Sequence, residues 1–313
     1  MVYGVVALTL LCLTVKGYSG KRTSGYVKDA TDSVRFSLLR MIFCMLIGGA
    51  LLLLEGAGKF LKIETGMLGI CLLAGISNAL FLVCWLSAVR KNSMVSMDVG
   101  MTLGSLLPAV FCAALFGEEL SPWKMLGFAM IVAATVILAK PGNGQKGRGF
   151  GAILLLILAA VGDGMTGVVQ QLYRQYYTEA GDFTHGVFYP KSIYHFYTYV
   201  FTSAALLAAL AVCHLIQKRN SKKTVWRVRD AMPLRVVLHV LVMAVCLFAA
   251  NYLQTVATNN FGMPSQVLYP VLKGGCLITV NFVAMIFFGE KITRRGVLGS
   301  SVALCGIVCI NLL

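Results

Sequence analysis

The chain has 313 residues, of which 58% are hydrophobic and only 12% charged, with a mean hydropathy of +0.81 and a net charge of +15. Soluble domains carry about 25% charged residues, so too few polar positions exist here to coat a water-facing exterior. The composition implies a polytopic helical membrane protein whose first partner is the lipid bilayer.

Apolar runs near 20 residues, each long enough to cross a hydrocarbon layer of ~30 Å, predict helices over 2–20, 33–54, 66–89, 94–116 and 122–139 in the first half. In the second half they predict helices over 149–175, 190–216, 235–258, 263–288 and 293–313. The opening MVYGVVALTLLCLTVKG lacks a basic start and a small-residue cleavage site; it reads as a spanning helix and not a cleaved signal. Gly100 and Gly104 form a GxxxG in the fourth run, which suits close helix packing. Ser121-Pro122 reads as an N-cap followed by a first-turn proline, and Thr293 as the corresponding cap in the second half. The stretch KPGNGQKGRG cannot continue a helix and divides the chain into 1–139, a linker over 140–148, and 149–313. Tyr176, Tyr177, Tyr189, Tyr194, Tyr197 and Tyr199 cluster around the connection between the sixth and seventh runs and read as an interfacial aromatic belt. The ten cysteines all fall in apolar segments without a CxxC pair, as small apolar residues do and a disulfide framework or zinc site does not.

Two stretches repeat one another. FGEELSPWKMLGFAMIVAATVILA opens at Phe116, and FGEKITRRGVLGSSVALCGIVCIN opens at Phe288. Each is Phe-Gly-Glu, a short polar turn, then an apolar helix with an early Gly. This predicts a duplicated module with five helices per half. An odd number per half makes the repeats inverted, and such repeats bind substrate where they meet. The expected fold is therefore all-α: ten transmembrane helices as two inverted five-helix repeats. Glu118 and Glu290 precede helix N-termini, where the helix dipole favours a carboxylate, so they read as structural.

Most basic residues fall on one side of this arrangement, including the dense group from Lys218 to Arg235. The positive-inside rule puts that side in the cytoplasm and both termini outside. The net charge is then an orientation signal. These residues sit in short interhelical loops without interleaved aromatics, which reads against a nucleic-acid partner.

The FGE pattern, with Arg35-Phe36 opening the second helix and Trp85-Leu86-Ser87-Ala88 closing the third, resembles the drug/metabolite transporter superfamily in its EamA-type ten-helix branch. The ending FFGEKITRRGVLGSSVALCGIVCINLL is similar to the last helix of small multidrug resistance proteins. The resemblance implies a secondary transporter with a central cavity surrounded by helices 1, 3 and 4 and by helices 6, 8 and 9. It implies both termini inside, opposite to the charge bias. Pro108 lies about one turn later than the family's helix-4 proline, and the connection over 176–189 is longer than usual.

A charge within a spanning helix costs several kcal/mol unless paired or hydrated. The cases here are Lys16, Asp98, Asp163 and Lys273, with Arg40, His195 and His239 nearer helix ends. Superposing the halves makes Lys16 equivalent to Asp163 and sets Asp98 about one turn from Lys273. At ~1.5 Å rise per residue, Lys16 lies ~22 Å along the first helix, Asp98 ~8 Å along the fourth, Asp163 ~21 Å along the sixth and Lys273 ~14 Å along the ninth, so one acid and one base fall in each half of the membrane. The expected pairs are Lys16–Asp98 and Asp163–Lys273, acting as gates or as proton and substrate sites. Alternatively, these charges only fix helix register, or Lys16 snorkels to the interface. Asn78, Trp85, Asn251, Gln254 and Tyr269 offer amides and aromatic faces to a polar or cationic solute, or else hydrogen-bond between helices.

There is no GxxxxGK[ST], no HExxH, no histidine spacing for metal and no Ser-His-Asp set. ATP-driven pumping, a cofactor and catalysis are not expected. The expectation is a secondary transporter of the cell membrane, a monomer or homodimer, working by alternating access on protons or exchange. Its substrate would be a small metabolite or drug. Four internal charges that sum to zero lean toward a zwitterion such as an amino acid over a toxic cation. A non-transporting scaffold or accessory subunit is the alternative.

Overall fold

The computed structural model describes residues 2–27, 29–56, 63–91, 101–117, 121–139, 150–220, 233–289 and 294–312. Its helices are α1 Val2–Ser24, α2 Ala30–Leu54, α3 Thr65–Lys91, α4 Leu106–Phe116, α5 Pro122–Ala139, α6 Phe150–Tyr177, α7 Lys191–Asn220, α8 Leu234–Asn260, α9 Ser265–Phe288 and α10 Arg294–Leu312. No strand occurs among the described residues. Seven helices (α1, α2, α3, α6, α7, α8 and α9) are long and apolar enough to cross a membrane, and the rest are shorter apolar helices.

Local chemistry sets the helix ends. Asp29 caps α2, its carboxylate accepting from the Asp32 N–H at 2.8 Å. Ser121 caps α5, its hydroxyl oxygen accepting from the Lys124 N–H at 3.3 Å. α4 stops at Gly117 (φ 67, ψ 22) and α9 at Gly289 (φ 60, ψ 22). In that left-handed region glycine carries no Cβ penalty, so the glycine of both FGE motifs is a helix stop. Glu118, Glu290 and Thr293 lie outside the described residues.

The fourth run departs from the continuous helix expected over 94–116. Residues 94–100 lie outside the described residues, and a 3₁₀ turn over Leu103–Ser105 precedes α4. Pro108 explains the break. It has no N–H to offer the carbonyl of Gly104, and its ring crowds that carbonyl. As the third residue of α4 it sits in a first turn, where a missing N–H costs nothing.

Packing is inside-out relative to a soluble protein. Leu46, Leu53, Leu72, Val132, Leu207 and Ile286 are exposed, whereas Ser33, Gln170, Gln171, Thr202 and Thr255 are buried. This suits a lipid exterior, where apolar burial does not drive association and helices are held by close contact and hydrogen bonds. The closest packed pairs are α3 with α6, α1 with α8, α5 with α10 and α2 with α7. At the α5–α10 crossing, a Cβ on Gly127 would lie 2.5 Å from the Gly306 carbonyl oxygen, so backbone meets backbone there.

Four of the six tyrosines expected in an aromatic belt around residues 176–199 lie in the core instead. Tyr177, Tyr189, Tyr194 and Tyr199 are all buried, and with Tyr173 all but Tyr199 belong to one core cluster with Met67, Cys71 and Ile193. The Tyr173 ring stacks on Tyr194 at 4.5 Å and its hydroxyl donates to the Tyr189 carbonyl at 2.7 Å. The α6–α7 connection folds back on α6, with the Phe183 and Asp182 N–H groups donating to the carbonyl and side-chain oxygens of Gln175 at 3.2 and 2.9 Å. That turns these rings onto α3 and α7.

Candidate functional site

The site begins with a Gly-Asp-Gly sequence on α6. A Cβ on Gly162 would lie 2.6 Å from the Phe81 backbone nitrogen of α3, and one on Gly164 would lie 2.4 Å from the Gly104 carbonyl oxygen in the 3₁₀ turn. Both neighbours therefore close onto α6 on either side of Asp163, and no other residue type leaves them room. Lys273 of α9 completes the pair. Its Nζ lies 2.5 Å from Asp163 Oδ2, with the side chains 20% and 18% exposed. A charge-assisted bond of this length is among the strong ones.

The pair opens onto a small cavity of about 50 Å³. Its lining comes from seven elements: Lys16 of α1, Asn78 and Phe81 of α3, Ser105 of the 3₁₀ turn, Pro108 of α4, Asp163 of α6, Asn251 and Gln254 of α8, and Tyr269 and Lys273 of α9. Of the residues singled out from sequence, Lys16, Asn78, Asp163, Asn251, Gln254, Tyr269 and Lys273 thus share one cavity.

The others are placed differently. Asp98 lies outside the described residues, and so does the Lys16–Asp98 pair. Among the described residues, Lys16 makes no ion pair. Its Nζ lies over the rings of Phe81 at 5.5 Å and Trp85 at 5.8 Å, inside the bundle and not snorkelling outward. Trp85 is buried and does not line the cavity. Its ring centroid is 6.2 Å from that of Phe81, and the Arg40 guanidinium approaches it at 5.6 Å. Asn78 donates to the Thr202 hydroxyl oxygen at 3.3 Å, and Asn251 donates to that of Tyr199 at 3.1 Å. Both amides therefore tie helices together as well as facing the cavity.

Two polar features escaped the sequence reading. Arg40, expected near a helix end, is 1% exposed, and its Nε and Nη2 have no hydrogen-bond partner. The signal was there, since Arg40 interrupts the apolar run SLLRMIFCML. The second feature is a buried chain from the cavity into α7. Tyr269 donates to Gln170 Oε1 at 2.7 Å, Gln170 Nε2 donates to Thr255 Oγ1 at 2.5 Å, and Thr255 Oγ1 lies 3.1 Å from His195 Nε2. Ser192, His195, Thr198 and Thr202 form a buried polar stripe along α7 that helical spacing would have disclosed.

No family model matches the sequence, and no curated protein matches it. Twenty-eight chains of solved structures match the fold. One, a crystal structure of a protein 17% identical to this chain, superposes with a TM-score of 0.61 over 98% of this chain and 96% of that one. At that identity the likeness shows a shared fold. Fold and composition together define a polytopic, all-helical membrane protein.

Proposed function

We propose that this chain is a secondary transporter of the cell membrane, of the drug/metabolite transporter type, moving a small organic solute by alternating access. In this reading its ten helices all span the membrane, as two inverted five-helix repeats over 1–139 and 149–313. The carrying observation is the Asp163–Lys273 pair in a cavity lined from both halves. Such a pair is costly in a bilayer unless it is used or fully satisfied, and substrate sites of duplicated transporters lie where the repeats meet.

The packing supports the repeat. Exchanging α1–α5 for α6–α10 turns the α3–α6 contact into α8–α1, and it returns α2–α7 and α5–α10 to themselves. The matched left-handed stops at Gly117 and Gly289 obey the same exchange. The helix break at Leu103–Ser105 sets an interrupted helix against Asp163, and interrupted helices form the ion and substrate sites of many transporters. In this mechanism Asp163 exchanges its Lys273 partner for a proton or for substrate, which couples binding to the change of access.

Reconstitution tests the reading. The full chain in liposomes with an internal pH-sensitive dye, given a panel of metabolites, is expected to show solute-evoked proton flux or solute exchange. Asp163→Asn is expected to abolish it. A scaffold or accessory subunit shows neither in the wild-type protein.

A further inference from the structure

We infer that the substrate is an organic anion, carrying a carboxylate or a phosphate ester, and that Lys16 is the residue that meets it. The inference rests on the transport reading and names its substrate class.

Charge balance at the site carries the argument. Asp163 is spent on Lys273 at 2.5 Å. Lys16 lines the same cavity, within electrostatic reach of Asp163, Lys273 and Arg40, and makes no ion pair among the described residues. It rests instead on the faces of Phe81 and Trp85. Aromatic faces hold a cation without neutralising it, so the Lys16 charge stays available to a ligand. Arg40 stands behind the same Trp85, almost wholly buried, with two of its nitrogens unpartnered. Arg40 is a further buried cation, so among the described residues Lys16, Lys273 and Arg40 gather around a cavity whose lining holds one carboxylate, Asp163.

In a low-dielectric interior an unmatched cation is costly. An anion narrows the imbalance, a zwitterion leaves it unchanged and a cation worsens it. Arg40 does not line the cavity. It is therefore a positioning residue, holding Trp85 and adding to the positive field.

The test is ligand-dependent thermal unfolding of the purified full chain in detergent. The probes are lactate, succinate, benzoate and glycerol phosphate, each beside its neutral amide or alcohol, with benzylamine and phenylalanine as cation and zwitterion. At least one anion is expected to raise the melting temperature in a saturable way while its neutral counterpart does not. The carboxylate and phosphate arms show which anion is taken. Lys16→Gln is expected to weaken that anion about tenfold or more, and Lys16→Arg, which keeps the charge, to retain it. Stabilisation by none of the anions, or only by benzylamine or phenylalanine, overturns the inference. So does anion binding that Lys16→Gln leaves unchanged. Uptake in liposomes separates the two claims. Anions that bind but are not carried defeat the transport reading and leave the anion site standing; carriage of cations alone does the reverse.

Discussion

Asp163 and Lys273 are 110 positions apart in the chain and 2.5 Å apart in space. Removing one partner leaves the other as a lone, largely buried charge among the helices. Asp163→Asn is therefore expected to lower stability by about 3 kcal/mol, the low end for a broken buried pair given the partial exposure. The Asp163→Lys, Lys273→Asp double variant is expected to recover part of that loss, and a melting temperature no higher than that of either single variant would count against direct pairing. Arg40 presents the opposite case. Its Nε and Nη2 have no partner, so replacing its charge with an apolar side chain of similar reach removes a liability. Arg40→Met is expected to keep or raise the melting temperature while reducing substrate binding. Arg40→Ala, which also removes packing on Trp85, is expected to lower stability by about 2 kcal/mol. Asp163 stood out in the sequence because an acid between two glycines in an apolar helix is conspicuous. Arg40 stood out in the same way, but its burial against Trp85 did not, because a position along a helix does not say which way a long side chain turns.

Helix existence followed from hydropathy, and the boundaries of α2, α3, α5, α6, α8 and α9 lie within a few residues of expectation. α4 is the exception. The stiff geometry of Pro108 overrides the apolar run and produces the 3₁₀ turn at Leu103–Ser105. Pro108→Ala restores the missing donor, so α-helical geometry is expected to extend back through the turn. Amide hydrogen exchange would report it as new protection at residue 108, and rapid exchange there would show that the break has another cause. At the two FGE stops the requirement is a left-handed backbone. Gly117→Ala and Gly289→Ala are each expected to cost about 1 kcal/mol. The sites are on different helices, so their effects on thermal unfolding should add.

At the scale of the molecule, the proposed repeat makes a prediction independent of the conflicting orientation signals. Ten spans place both termini on one side. Impermeant labelling of an added cysteine at each end, in a variant lacking reactive native thiols, should mark both from the same face of intact cells. Labelling from opposite faces would refute the ten-span arrangement. The α5–α10 crossing is a second checkpoint. Gly127→Leu pushes a side chain into the Gly306 backbone and is expected to cost about 1–3 kcal/mol through overpacking, whereas Gly4→Leu, at a site with open space around it, is expected to change little.

Sequence alone determined the helical, membrane-spanning character, because the length and polarity of a run are local properties that a bilayer reads directly. It also disclosed the repeated FGE segments, and the pairing expected of Asp163 and Lys273 is the one the structure shows. Tertiary structure alone decided what each helix turns toward its neighbours. It set the tyrosines around the α6–α7 connection into the core, Lys16 and Arg40 against Trp85, and Tyr269 at the head of a buried polar chain. These outcomes depend on how far each helix is rotated about its own axis. That rotation is set by contacts between residues distant in the chain, such as Gly164 against Gly104 and Gly127 against Gly306, which no local pattern encodes.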